Sequence, residues 1–184
     1  MAFSVTDFTA VIASKGLASS NKFEVAIHFP DGQRDKDLDL MCDTVSLTGI
    51  DVQSTMDLQY GIRREVVYGA PVFQDLTMSF YCTEKMEEKK ALDNWQNLMV
   101  KTKNPLSGGT SPGSFNVGYY DDYTKQSKIV VTKLDVSGAP IYKLEYTEVF
   151  PKSVTAIELS HATAAAPLKV SATFKYVYTR EIPI

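Results

Sequence analysis

Two histidines, two cysteines and two acidic clusters are the side chains of this 184-residue chain best suited to chemistry. His28 and His161 lie far apart, and neither has a nucleophile signature beside it. His28 falls on the polar face of a strand pattern, where a solvated or hydrogen-bonded imidazole is the simpler reading. Cys42 and Cys82 sit inside strand patterns with no second Cys or His at zinc-ligand spacing. They read as reduced thiols at the core, in a reducing, cytosolic compartment. Asp35-x-Asp37-x-Asp39 has the opening spacing of a calcium loop. Such a loop needs glycine at its sixth position and a bidentate glutamate at its twelfth. Here those positions hold Leu40 and Ser46, so the motif fails. Asp121-Asp122 could pair as catalytic carboxylates only if both faced one way, and adjacent strand residues point apart. A turn is the expectation there. The chain has no Walker loop, dinucleotide fingerprint, Gly-x-Ser-x-Gly elbow or His-Glu-x-x-His motif. No catalytic residue, cofactor or metal is therefore expected.

Composition narrows the partners. The net charge is −3, from 19 Lys and Arg against 22 Asp and Glu. Without a basic excess, tight binding to a phosphate backbone is disfavoured, although a surface that lets DNA pass is compatible. At 44% hydrophobic and 22% charged, the chain has ordinary globular composition. Residues 1–184 are expected to form one domain with a core that needs no disulfides. No apolar run is long enough for a membrane span, and no basic n-region precedes an apolar h-region, so no signal peptide is expected.

The elements that would position any site are mostly strands. Phe23, Val25, Ile27 and Phe29 alternate with polar residues over 22–29. Val72, Leu76, Met78, Phe80 and Cys82 share a face over 72–82. Leu168, Val170, Ala172, Phe174, Tyr176 and Tyr178 share a face over 168–180, which reads as the longest strand. Further strands are expected at 40–47, 50–60, 62–68, 115–120, 128–136, 141–150 and 153–159. Closely spaced strands with little helix between them predict a mainly β fold, an antiparallel β-sandwich or barrel. One flanking α-helix is predicted over about 84–103, capped by Thr83, with Ala91, Leu92, Trp95, Leu98 and Met99 as its apolar stripe. Phe23, Val25, Ile27, Leu76, Met78, Phe80, Trp95, Phe174 and Tyr176 are the expected core or interface residues. Residues 1–20 suit a short helix or an N-terminal arm. Residues 30–37, 104–114 and 160–167 read as loops.

Residues 50–68 carry the most unusual pattern. Asp51, Gln53, Thr55, Asp57 and Gln59 form a polar face without a positive charge, backed by Ile50, Val52, Met56, Leu58 and Tyr60. Gly61 suits the turn into a returning strand. Such a hairpin can be an exposed edge or the wall of an aqueous channel, and the period does not separate the two.

An ordered set of segments resembles a known family. Asn21-x-Phe23-x-Val25-x-Ile27 is followed by residues 42–47 and the 50–68 hairpin. Phe73-x-Asp75-Leu76-Thr77-Met78-Ser79-Phe80 then runs into the helix with Asp93-x-Trp95-Gln96. Ile141-Tyr142-x-Leu144, the Phe150-Pro151-x-Ser153-Val154-x-x-Ile157-x-Leu159-Ser160 segment and Val170-Ser171-Ala172-Thr173-Phe174-x-Tyr176-x-Tyr178 close the set. This order, over roughly residues 20–180, resembles the tail tube proteins of T-even-type contractile-tailed phages, within the superfamily of contractile injection and type VI secretion tubes.

The resemblance implies a structural protein of the virion tail, assembled in the host cytoplasm. Its subunits would form hexameric rings stacked into a hollow tube, with sheets from neighbouring subunits joined into one ring barrel. The implied partners are further copies of itself, the tail sheath protein, the tape-measure protein, a baseplate tube-initiator, and double-stranded DNA passing through without specific binding. Asp51, Gln53, Thr55, Asp57 and Gln59 are then expected to face the lumen. Val52, Met56 and Leu58 would pack on the subunit's own core. Met56, Leu58, Tyr60, Ile62, Val66 and Tyr68 are the expected inter-subunit contacts of an assembly hairpin. A tube, tube-initiator or baseplate-hub protein of an injection system is the alternative, and a monomeric β-sandwich binding module is a further one.

Overall fold

The computed structural model describes residues 4–58, 61, 63–100, 117–160 and 166–184. The predicted loop at 104–114, most of the 160–167 connection, His161, Gln59, Tyr60 and Ile62 lie outside the described residues.

The chain opens with helix α1 (Val5–Lys15), which buries no side chain. Strand β1 (Phe23–His28) follows, burying Val25 and Ile27 as its alternation predicts. A short helix α2 (Lys36–Leu40) and strand β2 (Cys42–Val45) come next. Two short ribbons are then built from β3 (Ile50–Asp51), β4 (Ser54–Asp57), β5 (Arg64–Val67) and β6 (Val72–Phe73). The chain continues through β7 (Leu76–Tyr81), helix α3 (Glu87–Met99), helix α4 (Tyr120–Thr124), β8 (Lys128–Leu134), β9 (Pro140–Thr147), β10 (Phe150–Val154), β11 (Lys169–Lys175) and β12 (Tyr178–Glu181).

Two four-stranded antiparallel sheets carry the fold, in the orders β1-β8-β9-β12 and β10-β11-β7-β2. Their inner faces share one core. Ile27, Ile129, Leu144 and Tyr146 come from the first sheet, and Leu76, Met78, Phe80, Val170 and Phe174 from the second. Leu92 and Trp95 of α3 join the same core. Trp95 lies 5.1 Å from the Phe29 ring and 6.0 Å from Phe174, and its indole N–H donates to the Tyr123 carbonyl at 3.1 Å. Burying a large ring with its polar handle satisfied makes it a strong anchor. Phe23 is half-buried against this core, and the other eight expected core residues are buried.

Several elements depart from the sequence expectation. The 168–180 run is not one strand. It breaks at Tyr176–Val177, so that β11 pairs with β7 in one sheet and β12 with β9 in the other. Tyr178 consequently leaves the buried face and is half exposed. The 72–82 run likewise breaks at Gln74–Asp75. Helix α3 starts later than predicted and Thr83 is not its cap. The Thr83 backbone N–H and hydroxyl both donate to the buried Glu88 carboxylate, at 3.0 and 3.1 Å. A turn closed by Met86 N–H to the Thr83 carbonyl occupies the interval, and Met86 takes a left-handed conformation, φ 53°, before the helix.

The acidic triplet builds α2, which runs from the end of the expected 30–37 loop to the start of the expected 40–47 strand. Asp35 caps it, its Oδ1 accepting from the Asp37 and Leu38 N–H groups at 3.0 and 3.4 Å. Asp121 and Asp122 stand in the first turn of α4, where the helix dipole favours them, so a short helix replaces the expected turn; of the strand expected at 115–120, residues 115 and 116 lie outside the described residues, and Val117 forms an isolated bridge with Val100. The strand expected at 153–159 is β10, shifted toward the N-terminus. Pro151 suits its edge position because an edge strand has a row of N–H groups without ladder partners.

Candidate assembly surface

The 50–68 segment and its return are anchored by a polar root. Gln74 donates from its amide to both Asp51 oxygens, at 3.2 and 3.3 Å, and its Oε1 accepts from Gly49 N–H at 3.3 Å. Thr48 is tied to the core: the Tyr176 hydroxyl donates to its Oγ1 at 2.7 Å, and its backbone N–H donates to the Tyr146 hydroxyl at 3.3 Å. Those two tyrosines pack edge to face, 4.9 Å apart. In the root, Ile50 faces Phe73 and Asp51 faces Val72.

Beyond the root the ladder is interrupted. Val52 and Gln53 on the outgoing side oppose the longer Tyr68–Pro71 stretch on the return, held by Tyr68 N–H to the Gln53 carbonyl at 3.1 Å. Gly69 suits this close approach, since a Cβ would sit 2.8 Å from Gln53 Cβ. The tip resumes with Ser54 facing Val67, Thr55 facing Val66, Met56 facing Glu65 and Asp57 facing Arg64. Gly61, at φ 78° with open space around it, serves the turn.

This geometry corrects three expectations. The hairpin is not one continuous ladder with one polar and one apolar face. Val52, Met56 and Leu58 do not pack on the subunit's own core; Met56 is 61% and Leu58 63% exposed. Val66, Val67 and Tyr68 are exposed as well. The polar face is also not free of positive charge. Antiparallel pairing puts Arg64 on the face of Thr55 and Asp57, and its guanidinium pairs with Asp57 at 3.3 Å. The outgoing strand alone shows no cation, because the cation is on its partner. A two-stranded ribbon with no buried side chain is marginal by itself, and it carries exposed apolar groups on both its faces.

The residues that looked chemical are structural. Asp39 is buried, accepting from Ile27 N–H at 2.7 Å and pairing with Arg34 at 2.5 Å. His28 shares an open cleft of about 510 Å³ with Lys128, Thr147 and Tyr178. Burial, with Lys128 and Arg34 nearby, pushes its pKa down. Cys42 and Cys82 are free thiols. Burial pushes Cys42 up to about 12, aided by Asp43 and Asp39, which makes it a poor nucleophile. Among the described residues no group of three or more His, Cys, Asp or Glu is placed to hold a metal. The sequence reading missed the Glu145 cluster. Glu145 is nearly buried on the outer face of its sheet, between Arg180 at 2.8 Å and Lys128 at 3.9 Å. Its only sequence signal is an acidic residue inside an apolar strand pattern.

Comparison with solved structures finds the same fold in tail-like particles. The chain is similar to a component of the anti-feeding prophage baseplate, with TM-score 0.65 and 10% identity, covering 90% of this chain and 95% of that one. It is similar to a chain of the PVC sheath-tube complex in the extended state, with TM-score 0.58 and 13% identity over the whole of both chains. A chain of the PVC sheath/tube terminator gives TM-score 0.61 at 14% identity, covering 91% and 97%. No curated protein matches. The model of the family described as phage tail tube protein matches residues 18–180, and the chain belongs to that family of structural tube proteins, which are not enzymes.

Proposed function

We propose that this chain is the structural subunit of a contractile phage tail tube. Hexameric rings stack into a hollow tube, the tube conducts DNA during ejection, and the whole forms part of the virion tail after assembly in the host cytoplasm. The sheath protein surrounds it, the tape-measure protein occupies it during assembly, and a baseplate tube-initiator starts it. The observation that carries this reading is the 50–68 hairpin: a root braced by Gln74 and tied to the core through Thr48, and a tip whose Met56, Leu58 and Tyr68 are each more than 60% exposed. In a stack of identical rings, further copies cover that tip at every subunit. Family membership and the fold shared with sheath-tube and baseplate components support it.

A second reading, the tube of a contractile injection system, is favoured by the fold likeness to the PVC and anti-feeding prophage chains. Both readings require tubes. Electron microscopy of the purified chain, alone and with sheath protein, tests them: stacked rings that accept sheath are expected, and dispersed monomers under all conditions would refute both. Particles from the source that carry packaged DNA separate the first reading from the second.

A further inference from the structure

The cleft beside His28 gathers polar side chains from every strand of the β1-β8-β9-β12 sheet. His28, Lys128, Thr147 and Tyr178 stand in one row across the four strands. Their neighbours Ile27, Ile129 and Tyr146 are buried, so the row faces outward. The break at Tyr176–Val177 is what brings Tyr178 into it. Lys125, Gln126 and Ser127 close one end of the cleft, and Gly32 and Glu148 complete its lining. The buried Ser127 hydroxyl lies 2.8 and 2.6 Å from the Thr124 and Val149 carbonyls, which anchors the 125–127 segment.

Donors dominate this lining. The Lys125 ammonium, the Gln126 amide, the Tyr178 hydroxyl and the His28 imidazole have no hydrogen-bond or ion-pair partner among the described residues. Lys128 reaches Glu145 only at 3.9 Å, and Arg180 already meets that carboxylate at 2.8 Å. The one carboxylate in the lining, Glu148, accepts from the Tyr120 hydroxyl at 3.0 Å. Two lysines against one carboxylate leave the lining net positive, on a chain whose net charge is −3. The His28 imidazole senses the same field. After burial itself, Lys128 and Arg34 hold its pKa down more strongly than Asp39 and Glu145 raise it.

These groups select the ligand. A metal ion meets repulsion from both lysines, and an apolar ligand would leave the donors unpaired. A carboxylate offers about four lone-pair sites, fewer than two ammonium groups, an amide, a phenol and an imidazole can fill. A phosphate group brings more oxygens and a charge of about −1.5 to −2 at pH 7, and charge-assisted hydrogen bonds are the strong ones. The cleft volume of about 510 Å³ falls among small-ligand sites, which run from about 300 to 1,000 Å³. The geometry points to a binding site for a small phosphorylated anion in this cleft, with Lys125 and Lys128 as its charge partners and Gln126, Tyr178 and His28 as further donors. The site needs only the folded chain, so it stands apart from the tube-subunit reading.

Equilibrium dialysis of the full chain against radiolabelled inorganic phosphate tests it, at an ionic strength held constant with chloride and with adenosine monophosphate as a second probe. The method reads single subunits and tubes alike. Binding with a Kd below about 10 mM is expected. Lys125→Ala should weaken it about tenfold, the loss of one hydrogen bond to a charged group, and Lys125→Arg should restore it. Lys15→Ala, on α1 and outside the cleft, should leave it unchanged. Adenosine monophosphate binding more tightly than phosphate identifies a phosphate ester as the occupant, and no tighter binding identifies free phosphate; both support the site. Failure of both probes to bind up to that concentration, or equal binding by the parent and Lys125→Ala, would overturn the site and leave the tube-subunit reading standing.

Discussion

Replacing Met56 with Asp would separate the proposed assembly role of the hairpin from any role in the fold. Met56 is 61% exposed and its cross-strand neighbour is Glu65. In the isolated chain the substitution removes little buried area, so the change in monomer stability should stay within about 0.5 kcal/mol. In the proposed tube the same site would be covered. Desolvating a carboxylate there without a partner costs several kcal/mol. Taking about 3 kcal/mol and 1.4 kcal/mol per tenfold, each contact weakens by roughly 100-fold. Every subunit carries the site, so the concentration needed for polymerisation should rise by at least that factor. Pelleting across a concentration series, with negative-stain imaging, reads assembly, and a thermal melt reads the fold. Parent-like melting with no tubes at 100 times the parent's threshold is expected, and Leu58→Asp, at 63% exposure, should behave alike. Asp variants that pellet at the parent's concentration would refute this role. So would variants that melt far below the parent, since the hairpin would then belong to the monomer's core.

Other consequences concern the framework. Trp95→Ala removes the ring between Phe29 and Phe174 and should cost about 3–5 kcal/mol, read as a fall in melting temperature of roughly 6–20 °C for a chain of this size. Asp39→Ala strands the Ile27 N–H, and a buried unpaired donor costs about 1–3 kcal/mol; Asp39→Asn, which still offers an oxygen, should recover most of that in the same melt. Because burial holds the Cys42 thiol up at about 12, folding favours its protonated form. Its contribution is full below the free-thiol range near pH 8.5 and is lost as pH rises from there toward 12. Iodoacetamide at pH 8 should accordingly label native Cys42 slowly and the urea-unfolded chain quickly, as peptide mass spectrometry would show.

The core was readable because alternation survives wherever one face is buried. Val25 and Ile27, Leu76 to Phe80, and Val170 to Phe174 kept their period and their predicted side. Strand ends were harder. Residues 168–180 keep a period of two across Tyr176, and nothing in that pattern marks the point where the chain changes sheets. Asp35, Asp37 and Asp39 looked like a failed metal loop because their actual task, capping α2 and satisfying Ile27 N–H, depends on a contact with β1. The hairpin was recognised as an element and misjudged in its faces. Period along one strand says nothing about the partner strand, so neither Arg64 opposite Asp57 nor the offset at Gln53 was visible. The exposure of Met56 and Leu58 is likewise set by how the whole chain folds, which the period of one strand does not record.

The most direct measurement of the central claim is cryo-electron microscopy of the purified full-length chain over a range of concentrations and salt. The account predicts stacked six-fold rings with an open axial channel and the Met56 and Leu58 side chains buried between copies. A chain that stays monomeric throughout, or tubes in which the 50–68 hairpin projects into solvent with those side chains uncovered, would contradict it.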